Sequence, residues 1–283
     1  ENIHALPSEK IVQKKEITLL PNNCVLDALE LFSEYNISVI VVLSNEAVVG
    51  TISKKDILNS FTRNKKADFS KMKIRNLMNK NFVSCRSDAK MSDIYTLMVE
   101  KNINEVVIFD DDKFVGTIDY FDILKVFQEA NFKIDNPPVL SQAMSRSFIS
   151  VDSEINLLKV YSLLNKKDSD FALVFRDSKV KGIITLKDLL VSLKKGLDFD
   201  KTKAVNIMSP NLISMTPGTS VYEAFLIALE RRFNQIPVIM DKKPVGVVSV
   251  KYMVKIYYDF ISDLSKRMRK KVSAKSVELI NDN

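Results

Sequence analysis

Four glycines, Gly50, Gly116, Gly182 and Gly246, open near-copies of one heptapeptide at separations of 66, 66 and 64 residues. The copies read GTISKKD, GTIDYFD, GIITLKD and GVVSVKY. Such recurrence constrains the fold strongly, because each repeat must be one supersecondary unit that buries its apolar face against its neighbours. A second landmark runs with the first: Met78, Met144 and Met208 each stand 38 residues before a glycine, and Val12 has the same offset from Gly50. The repeat body is therefore constant in length. Variation falls between the glycine of one repeat and the Met of the next, where 28, 28 and 26 residues intervene, as expected of a connection.

Within each repeat the signals keep one order. A short apolar strand such as FVS or FIS follows the landmark, then a polar turn, then a stretch whose apolar residues recur at three and four, the period of a helix. In the fourth copy this stretch is TPGTSVYEAFLIALERR, with Pro217 and Gly218 in the turn and Ser220 placed to cap the helix. Two apolar runs separated by an Asn-, Asp- or Lys-rich turn then predict a hairpin, and the heptapeptide leads into a second helix. Each repeat thus reads strand, helix, strand, strand, helix, an α/β unit. About 60 residues bury too little surface to stand alone, so neighbouring repeats are expected to pack face to face. The prolines of DNPPVLS, Pro137 and Pro138, mark the best break. The expected division is one module at 1–132, a second at 133–258, and a basic, partly helical tail at 259–283.

Composition, with 46% apolar and 27% charged residues, is that of a folded chain with a full core. No apolar run approaches the roughly 20 residues that span a bilayer, and ENIHALPSEK lacks the pattern of a signal peptide, so the expected location is cytoplasmic. Cys24 and Cys85 are isolated in sequence, which indicates neither a metal cage nor a disulfide and predicts two buried apolar side chains. Of the net charge of +7, residues 251–283 carry +4, with eight Lys or Arg against four Asp or Glu. The run LSKRMRKKVSAK at 264–275 holds six basic residues and no acid. It suits either solvent or a salt-sensitive contact with nucleic acid or an acidic partner, although it lacks aromatic residues for base stacking.

The chemically loaded positions of the heptapeptides are Ser53 and Asp56, Asp119 and Asp122, Thr185 and Asp188, and Ser249 and Tyr252. Ser or Thr three residues before an acid, at a strand-to-helix junction, is close to a capping box. The same geometry suits a nucleotide. A helix N-terminus favours phosphate, a carboxylate can accept two hydrogen bonds from a ribose diol, and a glycine lets a flat group approach the backbone. Lys55 and Lys187, each just before its Asp, offer a positive charge to phosphate or simply to solvent.

Four repeats of about 60 residues, each with a Met-led first strand and a Gly-x-x-Ser/Thr-x-x-Asp ending, resemble tandem CBS domains paired into two Bateman modules. The resemblance covers roughly residues 10–258, and the plan is similar to that of gamma regulatory subunits of AMP-activated protein kinase, in which four repeats form a disc. It implies a non-catalytic sensor with an adenosine-containing ligand, AMP, ADP, ATP or S-adenosylmethionine, in clefts between paired repeats. Asp56 with Ser53 and Asp188 with Thr185 would hold ribose or phosphate, and adenine would lie against the repeat's first strand, around Ile17 and Thr18 or Ile149 and Ser150. Regulated partner proteins and homodimers are further expectations.

Two copies depart from the pattern. Tyr252 replaces the Asp of the fourth heptapeptide, so that cleft is expected to be empty or structural. The second keeps Asp122 but places Asp119 at the Ser/Thr position, where a second carboxylate repels phosphate. At the start of the strand entering each hairpin, kinase-type subunits carry a basic residue, whereas this chain has Ser38, Asn104, Asp170 and Asn234. That leaves room for a less anionic ligand unless Arg86 and Arg146 compensate. Catalysis has little support, since the single histidine is His4 and no triad or metal-ligand set can be assembled from spacing. A ligand-independent protein scaffold and a nucleic-acid-binding tail remain the alternatives.

Overall fold

The structure is a computed structural model that describes residues 5–12, 17–111, 113–131, 134 and 136–263. Repeat 1 comprises β1 (Thr18–Leu19), α1 (Val25–Glu34), β2 (Val39–Ser44), β3 (Ala47–Ser53) and α2 (Lys54–Arg63). Repeat 2 follows the same order with β4 (Ser84–Arg86), α3 (Met91–Glu100), β5 (Glu105–Asp110), β6 (Lys113–Asp119) and α4 (Tyr120–Glu129). Repeat 3 adds a one-turn helix α5 (Leu140–Ala143) before β7 (Ser150–Asp152), α6 (Leu157–Lys166), β8 (Phe171–Arg176), β9 (Lys179–Thr185) and α7 (Leu186–Lys194). Repeat 4 has α8 (Val221–Arg231), β10 (Gln235–Met240), β11 (Lys243–Ser249) and α9 over 250–263. Its first strand is reduced to one parallel bridge, Met215 to Val238. The expected element order therefore holds in all four copies, with that one shortening.

In each complete repeat the first strand pairs parallel with the second and the second antiparallel with the third. The hairpins turn on residues such as Asn45 and Glu46 (φ 50° and 65°) or Asp177 and Ser178 (φ 51° and 59°). Two successive left-handed residues are what a type I′ hairpin requires, and Asn or Asp bears that conformation at lower cost than most residues. Beside each heptapeptide glycine the register slips by a bulge, as between Val42 and Leu43 where Gly50 pairs with Val42. The slip increases strand twist locally.

Each repeat lends its leading segment to a partner. Residues 72–78 of repeat 2 bind the start of repeat 1, with Val25 N–H donating to Met72 O at 2.9 Å and Ile74 N–H to Asn23 O at 3.0 Å. Repeat 1 returns the exchange through Ser8, whose N–H donates to Ala89 O at 2.8 Å and whose hydroxyl donates to Ser87 O at 2.7 Å. Repeats 3 and 4 do the same: Leu140 N–H donates to Thr219 O at 2.8 Å, and Ala204 N–H to Ile155 O at 2.8 Å. The landmark Met therefore packs not on its own glycine but on that of its partner. A Cβ on Gly182 would lie 2.5 Å from Ser209 O and 3.1 Å from Met208 Sδ, and one on Gly50 would lie 2.9 Å from Asn79 O. The invariant glycine of the repeat is thus the price of bringing two backbones together.

The cores run the other way. One buries Leu29, Phe32 and Leu58 of repeat 1 with Tyr161, Leu189 and Leu190 of repeat 3. The other joins Ile94, Met98 and Phe127 of repeat 2 to Phe225, Val254 and Tyr257 of repeat 4. Exchange joins 1 to 2 and 3 to 4, the helical cores join 1 to 3 and 2 to 4, and the ring of four closes. Ile261 is 7% exposed within the second core, so α9 extends through the module edge expected at 258. The basic run at 264–275, and His4, lie outside the described residues. Cys24 and Cys85 are half-buried rather than buried, because each sits at a surface junction, Cys24 at the N-cap of α1 and Cys85 in the edge strand β4.

The close approach at Gly182 has a measurable consequence. Gly182→Ala is expected to lower stability by about 1–3 kcal/mol, since its methyl group meets backbone that must shift. Gly218→Ala, where a Cβ meets nothing within 4 Å, is expected to stay within ~0.5 kcal/mol of the parent. Urea denaturation of the two variants checks the difference.

Candidate functional site

Both intact heptapeptides form complete capping boxes. Asp188 Oδ2 accepts from Thr185 N–H at 2.7 Å and from Thr185 Oγ1–H at 2.7 Å, while Asp188 N–H donates to Thr185 Oγ1 at 3.3 Å. Ser53 and Asp56 repeat the arrangement at 2.7, 2.6 and 3.3 Å. This geometry limits what the pair can do for a ligand. The hydroxyl has one hydrogen and gives it to the carboxylate, so Ser53 and Thr185 can only accept from a ligand and cannot donate to phosphate. Each carboxylate spends one oxygen on the cap, and Oδ1 of Asp188 carries no hydrogen bond among the described residues.

Thr185 and Asp188 line a cavity of about 700 Å³ to which all four repeats contribute. Ser38, Asn104, Asp170 and Asn234, the four equivalent positions at the start of the hairpin strands, all meet in it. On the Asp188 side its wall is Ile183 with residues 209–213 and Pro237 of repeat 4, and Ile213 is 41% exposed there, an apolar surface suited to a flat ring. The wall is lent by the partner repeat. Ile183 and Ser209 exchange backbone hydrogen bonds of 3.1 and 2.9 Å, which carry the 209–213 segment to the clamp.

The residues expected to carry adenine lie away from this cavity. Ile149 is half-buried against the core, Ser150 is exposed in β7, and Ile17 and Thr18 are half-buried beside or in β1; none of the four lines the cavity. A repeat's first strand is paired to its own hairpin, and the segment beside Thr185 and Asp188 is the one exchanged from the partner repeat. Asp56 does not line the cavity either, although Ser53, Lys54 and Lys55 do. Arg86 and Arg146 are exposed, Arg86 near Asp88 at 3.4 Å, and do not supply the charge sought for the cavity.

The cavity is nevertheless basic. Lys54, Lys55, Lys187, Arg231 and Arg232 line it, against Asp170 and Asp188. Lys54 and the Arg231–Arg232 pair are the residues that sequence reasoning missed. Arg232 ends α8 in the left-handed conformation (φ 51°, ψ 44°), two residues before Asn234. Its guanidinium lies 3.6 Å from Asp119 Oδ2 and 4.9 Å from the centre of the Phe121 ring. Its signal in the sequence is the ERRF run itself, which stands just ahead of Asn234.

Environment sets the charge of these groups. Burial pushes the Lys54 ammonium down to about 8 against the pull of Asp170 and Glu105, and Lys187 pushes it in the same direction. Its Nζ donates to Ile37 O. Burial alone would also lower Lys55, but its hydrogen bond to Asp168 at 2.6 Å and the charge of Asp170 at 3.3 Å outweigh it and raise the value. Burial raises the Asp188 carboxyl above the ordinary range, in spite of the Thr185 hydrogen bonds and the charge of Lys187. A poorly hydrated carboxylate with one oxygen unused favours an incoming pair of donors.

The two altered copies behave differently. Asp119 caps α4 by accepting from Phe121 and Asp122 N–H at 2.9 and 3.0 Å, and its own N–H donates to Asp122 Oδ2 at 2.8 Å. Both acids are buried, and Asp122 lines a separate groove between α4 and α8. Tyr252 is 41% exposed, and Ser249 Oγ alone accepts from its N–H at 3.2 Å. No metal-ligating group of three or more His, Cys, Asp or Glu occurs among the described residues. No helix among them is long and apolar enough to cross a membrane.

Comparison with known proteins places this geometry. A sequence model of the CBS domain matches residues 9–63, 74–129, 140–195 and 204–259. Protein MJ1232 of Methanocaldococcus jannaschii is 32% identical over 128 residues, 44% of this chain and 41% of that protein. The inosine-5'-monophosphate dehydrogenase of the same organism is 28% identical over 131 residues, 44% of this chain and 25% of the enzyme. The chain thus spans less than half the length of these curated relatives. Among solved structures, protein MJ1225 of M. jannaschii, described as a proposed archaeal homologue of g-AMPK, superposes with a TM-score of 0.79 at 19% identity, over 89% of this chain and 100% of that one. A protein from Pyrococcus horikoshii gives 0.60 at 18% identity over the same shares. With four matched domains, exchanged leading segments and a four-repeat ring, the chain belongs to the CBS-domain family as a tandem protein of two paired Bateman modules.

Proposed function

We propose that the protein is a non-catalytic sensor that binds an adenosine-containing ligand in the cleft between repeats 3 and 4. The observation that carries this reading is the unused Oδ1 of Asp188 at the wall of the cavity, beside the apolar surface of residues 209–213. The ribose diol donates to Asp188, Thr185 accepts, and the base lies over Ile213 and Ile183. Ser53 and Asp56 form the matching pair of the first module, and Ser53 lines the same cavity. CBS-domain pairs are regulatory units, which supports a role in control rather than turnover.

The signal is a change in how the modules at 1–132 and 133–258 pack. A ligand can shift that packing only if it binds one arrangement better than another. What supports this reading is that the walls of the cavity come from both modules: Ser38, Lys54 and Asn104 from one, Asp188 and Arg232 from the other.

Asp188→Ala is expected to weaken an adenosine ligand at least tenfold, roughly the worth of a charge-assisted pair of hydrogen bonds, while Tyr252→Ala changes nothing. Isothermal titration with AMP, ADP, ATP and S-adenosylmethionine tests this, and indifference to all four would refute the reading. The pH dependence has a definite sign. Burial has raised the Asp188 pKa, and a diol favours the ionised form, so affinity is present above the raised pKa. It is lost as pH falls through that pKa, beginning at a higher pH than an ordinary aspartate would give. Titrations from neutral to acid pH check it.

A further inference from the structure

One position breaks a pattern that the other three repeats keep. The residue that opens the second helix is Tyr120 in repeat 2, Leu186 in repeat 3 and Val250 in repeat 4, and all three are buried in the cores. In repeat 1 it is Lys54. A primary amine therefore stands where the fold provides an apolar place, half-buried, with its Nζ 5.2 Å from the centre of the Phe32 ring. Its hydrogen bond goes to a neutral acceptor, Ile37 O.

Such surroundings favour the uncharged amine. Asp170 of repeat 3 and Glu105 of repeat 2 pull toward the ammonium through their charge, and Lys187 of repeat 3 opposes it; burial outweighs the two acids and brings the pKa to about 8. About a quarter of the side chain is then free amine at about pH 7.5, against roughly 0.1% for an ordinary lysine. The free amine is the nucleophile, as in other lysines activated by burial. Access comes from the cavity of about 700 Å³, which Lys54 lines. Its neighbour Lys55 lines the same cavity but is held charged by Asp168 and Asp170.

We propose that Lys54 is a modification site, at which the ε-amine takes an acyl group from an acyl thioester that enters the cavity. The nitrogen attacks the thioester carbonyl and the C–N bond forms as the C–S bond breaks. Sulfur leaves as a thiol, with the proton that the nitrogen gives up. The amide keeps one N–H, which can still donate to Ile37 O. Its neutrality suits the position, whereas a carbamate formed with carbon dioxide would bring a negative charge toward Asp170 and Glu105. Acylation removes a cation from the seam where repeats 1, 2 and 3 meet. The site needs only the amine and its access, and stands whether or not an adenosine ligand binds.

Partial acetylation of the full chain with S-acetyl-N-acetylcysteamine, a neutral acyl thioester, tests the proposal when each lysine is followed by mass spectrometry across neutral to alkaline pH. At about pH 7.5 Lys54 is expected to acetylate about tenfold faster than the exposed Lys194 or the ion-paired Lys55. The gain in free amine is about 200-fold, and lower basicity reduces it, as it does for thiols. The Lys54 rate should level off above about pH 8, whereas that of an ordinary lysine climbs until about pH 10. In Lys54→Met, which places an apolar side chain there as the other repeats do, the fast acetylation should vanish. A Lys54 rate no greater than that of Lys194, or one that climbs without levelling, would overturn the site and leave the Asp188 clamp standing. Fast acetylation in a protein that binds no adenosine compound would instead remove the clamp and keep the site.

Discussion

Ile183 and Ser209 bind each other backbone to backbone at 3.1 and 2.9 Å, and Thr51 and Asn79 do the same at 2.9 and 2.7 Å. These contacts need a glycine on the strand, since any Cβ at Gly50 or Gly182 would meet the partner's carbonyl oxygen inside 3.0 Å. They fix which repeat is whose partner. They also bring residues 209–213 beside Thr185 and Asp188, an arrangement that requires two backbones to meet without a side chain between them.

The heptapeptide divides its atoms between the helix cap and the cavity. Its hydroxyl and one carboxylate oxygen close the helix cap, and in the third copy Asp188 also lines the cavity while its Oδ1 is unused by the cap. Replacing either residue therefore costs a cap worth about 1 kcal/mol, and at Asp188 it also removes a carboxylate from the cavity lining. In the second copy Asp119 closes the cap in place of Ser, is buried, and lies close to Arg232.

Much of this was legible in the sequence, and the failures share one cause. Constant spacing gave the repeat and its element order, and the Ser/Thr-x-x-Asp pattern gave the caps. Spacing is blind to exchange, however: the resemblance places adenine near Ile149 and Ser150, whereas the segment that lines the cavity with Thr185 and Asp188 is 209–213. Periodic reasoning also treats equivalent positions alike. Lys55 and Lys187 look the same in their heptapeptides, yet Lys55 meets Asp168 whereas Lys187 stands opposite an Asn36 that is engaged elsewhere. Arg232 escaped because a helix ending in the left-handed conformation aims a side chain two positions before the expected one.

Exchange of the leading segments also bears on how the chain assembles. Repeat 1 cannot complete its first-helix junction until residues 72–78 have been made, and its core stays open until Tyr161 and Leu189 arrive from repeat 3. Native contacts therefore link residues separated by more than a hundred positions, which slows folding and leaves apolar helix faces exposed in the interval. A ring closed in this way has no half that is whole by itself. What emerges first from synthesis must wait, with its greasy side uncovered, for what emerges last.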